Sequence, residues 1–200
     1  MRPYLALMKS ITVFCGASEG NNPLYKEIGF QTGKLLAAHS IEVVFGGGKI
    51  GIMGAVADGA LSAGGSVTGV IPKFLRTKEV THYGVTNLHV VETMHERKML
   101  MHRLSQGVMA LPGGYGTLDE LFEILTWAQL GMHDYPIGLL NVNGYFNHLH
   151  AFVHHMCEEG FLNETVRDLI MIDDDAERLL DRMTNYQAPE IYKWITEDEV

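Results

Sequence analysis

Short apolar runs separated by longer stretches of helical spacing constrain this chain more than any other feature. The runs are "SITVFCGA" (10–17), "IEVVFGGG" (41–48), "SVTGVIP" (66–72), "TNLHVVE" (86–92), "GVMALPGG" (107–114), "YPIGLLNV" (135–142) and "DLIMIDD" (168–174). They read as continuously apolar rather than alternating, as strands buried on both faces do. Between most of them, residues 22–40, 52–64, 94–106, 118–130, 145–159 and 175–184 space their apolar side chains three and four apart; Leu24, Ile28, Leu35 and Leu36 show the pattern. Residues 73–84 form a polar loop instead. The alternation predicts an α/β fold: Rossmann-like, doubly wound, a mostly parallel sheet of about seven strands with helices on both faces. The 200 residues suffice for one domain with a proper core. Residues 1–9 read as an N-terminal extension. Residues 185–200 read as a C-terminal arm whose Trp194 packs on the body or on a second subunit.

Sheets of this kind bind ligands beyond the carboxyl ends of their strands, where the strand order reverses. Two glycine stretches stand at such ends. In "FGGGKIGIMG", Gly46, Gly48 and Gly51 form G-x-G-x-x-G, with Gly47 between the first two. A dinucleotide site would place an acid at the end of the next strand, about 20 residues on. That strand ends in Ile71, Pro72 and Lys73, so the dinucleotide reading loses its ribose contact. A phosphate loop of the glycine–lysine–Ser/Thr type is missing as well. Two readings remain: glycines that only permit tight packing, or a turn that aims backbone N–H groups at an anion.

The second stretch is "PGGYGTLDE" (112–120), with Gly113, Gly114 and Gly116. Thr117-x-x-Glu120 is a capping box by spacing, with Thr117 as the N-cap and Leu118 the first helical residue. The same residues also suit a helix N-terminus behind a glycine turn, ready for a phosphate, with Glu120 beside it. In "ETMHERKMLMHRLSQG", Met94, Arg97, Met101 and Leu104 share one helical stripe, and His95, Lys98, His102 and Ser105 the next. An arginine on an apolar face needs a partner. It is either a structural ion pair or an anion fork pointing into a cleft.

A net charge of −9 argues against a nucleic-acid surface. No apolar run is long enough to span a membrane as a helix, and Cys15 and Cys157, the two cysteines, lie in a predicted strand and a predicted helix. A reducing compartment, the cytoplasm, is expected. His150, His154 and Glu158 stand at metal-like spacing, but they flank a core face of Leu149, Phe152, Val153 and Met156 and no HExxH occurs. A solvated or interfacial face is the expectation there, with no metal. In residues 121–132, Leu121, Leu125 and Ala128 suit packing on the sheet.

Several motifs in one order resemble the LOG family, the cytokinin riboside 5′-monophosphate phosphoribohydrolases historically mislabelled as lysine decarboxylases. They are "VFCGAS", "GGGKIGIMGAVADGAL", "GVIPKFL", "LHVVETMHERK", "PGGYGTLDE", "LTWAQLGMHDYPIGLLNVNGYF" and "EEGF". The resemblance runs from about Ile11 to Met183. It implies a homodimeric Rossmann-like enzyme that splits a nucleoside 5′-monophosphate into free base and ribose 5-phosphate without a cofactor. Arg97 and Glu120 would be the catalytic pair, and Gly113, Gly114, Tyr115, Gly116 and Thr117 the phosphate turn. Glu79 and Lys98 would line the nucleotide site, with Gly46, Gly47 and Ser18 completing it. Asp119 stands where many members have Glu, and "GASEG" replaces a "GSSPG"-like turn. A carboxylate suits the chemistry, because breaking a nucleoside bond builds positive charge on the sugar. A lysine decarboxylase would need pyridoxal phosphate on a lysine. None of the eight lysines has a convincing setting for one. Two alternatives remain: a general AMP or purine-monophosphate nucleosidase, and a non-catalytic nucleotide or cofactor carrier.

Overall fold

The computed structural model describes residues 8–77 and 80–190. The chain runs β1 (Ser10–Phe14), α1 (Leu24–Ala38), β2 (Glu42–Phe45), α2 (Gly51–Ser62), β3 (Val67–Pro72), β4 (Asn87–Val91) and α3 (Met94–Arg103). It continues through β5 (Val108–Ala110), α4 (Tyr115–Gln129), β6 (Ile137–Leu140), α5 (Asn147–Glu158), α6 (Glu164–Arg167), β7 (Ile170–Asp173) and α7 (Ala176–Thr184). The strands form one sheet in the order β4-β3-β2-β1-β5-β6-β7. Every neighbouring pair is parallel. This is the Rossmann-like α/β fold expected from the alternation.

Each central strand divides its side chains between two cores. Ile11, Val13, Val43 and Phe45 pack on one side with α1, α2 and α7. Phe14, Val44, Val70 and Met101 pack on the other, with Leu121 and Ile124 of α4. The period of two thus buries both faces of strands that read as apolar throughout. β4 departs from the pattern: it is the sheet edge and much of it is exposed. The short α6 was not anticipated. It is capped by Asn163, whose side chain accepts from the Val166 N–H at 2.9 Å. α1 and α2 meet backbone to backbone. A Cβ on Gly33 would lie 2.0 Å from the Val56 carbonyl oxygen, and one on Gly59 2.0 Å from that of Phe30.

Chain order places the site. From β1 the sheet grows through β2 and β3 to β4, then returns to the far side of β1 as β5. The reversal lies between β1 and β5, where crossover connections leave in opposite directions and open a crevice. Beyond the strand ends the two chains stay joined. The Leu111 N–H donates to the Phe14 carbonyl at 2.9 Å, and the Gly16 N–H donates to that of Pro112 at 3.0 Å. Among the described residues no helix is long and apolar enough to cross a membrane. Of the expected terminal extensions, Met8 and Tyr186 pack against the core, while Trp194 lies outside the described residues.

Candidate active site

The crevice holds a cleft of about 540 Å³, bounded by the turns after β1, β2 and β5. α3 delivers Arg97 to it. The helix start is fixed by Thr93, whose hydroxyl accepts from the Glu96 N–H at 3.1 Å, while the Glu96 carboxylate accepts from the Glu92 N–H at 2.8 Å. One turn on, Arg97 faces the sheet and is only 7% exposed. Its Nε donates to the Val70 carbonyl at 3.1 Å and its Nη1 to Glu120 Oε1 at 2.9 Å. Nη2 occupies the space a side chain at residue 46 would fill: a Cβ on Gly46 would lie 1.8 Å from it. Gly46 is therefore glycine because the guanidinium needs the room.

Glu120 comes from α4, and here the capping expectation is corrected. α4 starts at Tyr115, with Gly114 at the N-cap and no side-chain cap. Thr117 is buried inside the first turn, against Gly113, where a Cβ would lie 2.1 Å from Thr117 Oγ1. With its threonine already inside the helix, the capping box does not form. Glu120 moves into the second turn, 7% exposed, and meets Arg97. Burial pushes its carboxyl above the ordinary carboxylate range, and the Arg97 guanidinium opposes the rise. Oε2 carries no hydrogen bond among the described residues.

The first turn of α4 has backbone N–H groups without intrahelical partners. It borders the cleft through Gly114, Gly116 and Thr117. Cβ atoms on Gly114 and Gly116 would meet nothing within 4 Å. These two glycines leave open space, which suits close approach of an anion to the helix end. Tyr145 closes this side by donating to the Gly113 carbonyl at 2.5 Å, and Tyr25 stands edge-on to it. Sequence reasoning missed both tyrosines, since neither falls in a spacing pattern. The opposite end of the cleft is apolar: Ile50, Met53, Ile71, Leu75 and Val80. Val80 is held there by the Lys49 N–H, which donates to its carbonyl at 2.7 Å.

Of the expected site residues, Ser18, Gly46, Arg97, Gly113, Gly114, Gly116, Thr117 and Glu120 line this one cleft. Gly47 does not; it turns at φ 74° and packs against Ile71. The Tyr115 side chain is 94% exposed. Lys98 turns away from the cleft to Glu123 at 3.0 Å and Asp119 at 3.3 Å. Glu79 lies outside the described residues. His150 and His154 bring their Nε2 atoms to 3.1 Å, but Glu158 pairs with His155 instead. Among the described residues no three His, Cys, Asp or Glu side chains are grouped to hold a metal ion.

Comparison with known proteins bears on the family and the fold. The family model described as possible lysine decarboxylase matches residues 53–183. The cytokinin riboside 5′-monophosphate phosphoribohydrolase LOG1 of Arabidopsis thaliana is 46% identical over 178 residues, 89% of this chain and 84% of its own. The phosphoribohydrolase LOG7 of the same plant is 43% identical over 194 residues, 96% and 89% of the two chains. Among solved structures, the molybdenum cofactor binding protein of Rippkaea orientalis superposes with a TM-score of 0.68 at 21% identity, covering 88% of this chain and 96% of its own. The molybdenum cofactor carrier protein of Chlamydomonas reinhardtii gives 0.67 at 19%, over 88% and 96%. At such identities the structural likeness speaks for the fold alone. The sequence likeness reaches further: the chain belongs to the LOG family of cytokinin riboside 5′-monophosphate phosphoribohydrolases.

Proposed function

We propose that this protein hydrolyses the N-glycosidic bond of a cytokinin riboside 5′-monophosphate, giving free base and ribose 5-phosphate. The buried Arg97–Glu120 pair, set beside an uncapped helix start in one cleft, carries the reading. A phosphate binder gains nothing from a buried carboxylate beside its anion. A glycosidase needs one.

The 5′-phosphate binds at the Gly113–Thr117 turn, on the N–H groups of the first turn of α4. This puts the ribose near Glu120 and the base toward the apolar end. As the C1′–N bond breaks, its electron pair leaves with the base and positive charge grows on the sugar. The Glu120 carboxylate faces that charge and can take a proton from the attacking water, whose oxygen bonds to C1′. Arg97 keeps Nη2 for a ribose or phosphate oxygen while its other nitrogens fix Glu120 against β3. The departing base takes up a proton from solvent at its ring nitrogen, and Glu120 returns the proton of the attacking water to solvent, so one water is consumed in all. Ser18 and Gly46 border the same space. We further propose a cytoplasmic homodimer, with Trp127 and Leu130 of the α4 end at the contact.

The test is a product assay with isopentenyladenosine 5′-monophosphate and, separately, AMP. Release of base and ribose 5-phosphate, lost in Glu120→Gln with nucleotide binding retained, is the expected result. Equal rates on AMP would make the enzyme a general purine-monophosphate nucleosidase. Binding without release from either nucleotide would leave a carrier.

A further inference from the structure

Lys98 follows Arg97 on α3 and points elsewhere. Its side chain is 10% exposed, and its ammonium sits between the carboxylates of Glu123 and Asp119. Burying a lysine that far costs free energy that only close partners offset. The partners are telling, because Asp119 precedes Glu120 on α4 and Glu123 lies one turn beyond it. A cavity of about 10 Å³, room for about one water, lies behind Glu120 and is bordered by Lys98, Glu123, Thr12 and His102. Glu120 therefore meets Arg97 at the cleft and shares this small cavity with Lys98.

We propose that Lys98 is a positioning residue, which neutralises Asp119 and Glu123 behind Glu120 and so holds Glu120 as a carboxylate without touching the nucleotide. The proposal rests on the hydrolase reading above. Three carboxylates within one helical turn repel one another, and the most buried of them takes up a proton first. Around Glu120, α3 contributes Arg97 and Lys98, which favour its charge. α4 contributes Asp119 and Glu123, which oppose it. Two further titratable groups stand near. His102 is pushed down to about 4 by burial, so it is neutral at physiological pH. Burial raises the Cys15 thiol far above its usual range, so it too is uncharged. Lys98 is thus the cation that balances the two outer acids.

The experiment compares the pH profile of kcat/KM for the wild type, Lys98→Met, Lys98→Arg and Glu123→Gln, using isopentenyladenosine 5′-monophosphate. In Lys98→Met the acid limb moves up by about 0.5–1 pH unit. KM measured well above the limb stays within about twofold, since ground-state binding is untouched. Lys98→Arg restores the limb. Glu123→Gln, which alters a partly exposed side chain and so keeps the fold, moves the limb down. A KM raised about tenfold in Lys98→Met with the limb unmoved would make Lys98 a nucleotide contact and overturn the proposal. An unmoved limb with an unchanged KM would overturn it too. Carbon-13 NMR titration of the Glu120 carboxyl, assigned by its loss in Glu120→Gln, reads the same shift without turnover. An inactive wild type whose Glu120 titration still moves in Lys98→Met would refute the hydrolase reading and leave the role of Lys98 standing.

Discussion

Gly46→Ala is the smallest change that separates the Arg97–Glu120 geometry from the rest of the fold. The backbone there is not left-handed, so alanine meets no conformational barrier. The new Cβ would stand 1.8 Å from Arg97 Nη2, 3.0 Å from Cζ and 3.1 Å from Met53 Sδ. The guanidinium must retreat by more than an ångström, and it is pinned to the Val70 carbonyl and to Glu120. Losing one such charge-assisted bond costs about 1.5–3 kcal/mol. The alanine returns about 0.4–1 kcal/mol by restricting the unfolded chain. The net cost is about 0.5–2.6 kcal/mol, which in a domain of this size lowers Tm by about 1–10 °C. Activity suffers more, because an ångström of misplacement in a catalytic constellation costs about 100-fold. The acid limb of kcat/KM also rises, since Glu120 loses its nearest cation. Calorimetry together with the pH profile of base release reads all three effects. A variant that melts a few degrees lower but turns over at the wild-type rate would refute the assignment of Arg97.

Glu120→Gln bears on stability as well as rate. The folded-state pKa of Glu120 is raised, so its contribution is fully present below the unfolded value and is lost as pH rises through the folded one. At neutral pH the glutamine variant therefore melts at the same temperature as the wild type or higher, and the gap closes on acidification in a pH series of melts. Gly33→Ala, whose Cβ would lie 2.0 Å from the Val56 carbonyl oxygen, costs about 1–3 kcal/mol in urea unfolding and leaves kcat/KM of the folded enzyme unchanged. In the native protein a thiol reagent modifies Cys157 quickly and Cys15 only in denaturant, because Cys15 is buried and its thiol resists ionisation. Two fast thiols in the native state would contradict the packing at the end of β1.

The strands were legible because they are continuously apolar, and that pattern comes from burial on two faces. β4 carries the weakest signal, "NLHVV", and is the strand left at the edge. α6 is four residues long, too short for any periodicity to show. The start of α4 was misjudged by three residues. Thr-x-x-Glu is a strong local pattern, but the helix already begins at Tyr115, which buries Thr117 inside the first turn where it cannot act as the N-cap. Arg97 and Glu120 could be read because an arginine on an apolar stripe and an acid behind three glycines are both out of place. Their supports could not: the Val70 carbonyl lies 27 residues from Arg97, and Tyr145 lies 32 from Gly113. Lys98 misleads for a geometric reason, since neighbours along a helix differ by about 100° in direction.

The bond from Arg97 to the Val70 carbonyl references the Arg97–Glu120 pair to the sheet rather than to a loop. Strands are the stiffest reference frame in such a fold, whereas Leu75 and Val80 at the apolar end of the cleft stand outside the sheet, Leu75 at the end of a single 3-10 turn (Lys73–Leu75). Chemistry and recognition are thereby uncoupled into separately replaceable parts. Under the proposed function, a designer can repaint the residues at the apolar end while Glu120 and Arg97 keep their coordinates, so that one frame serves a range of leaving groups.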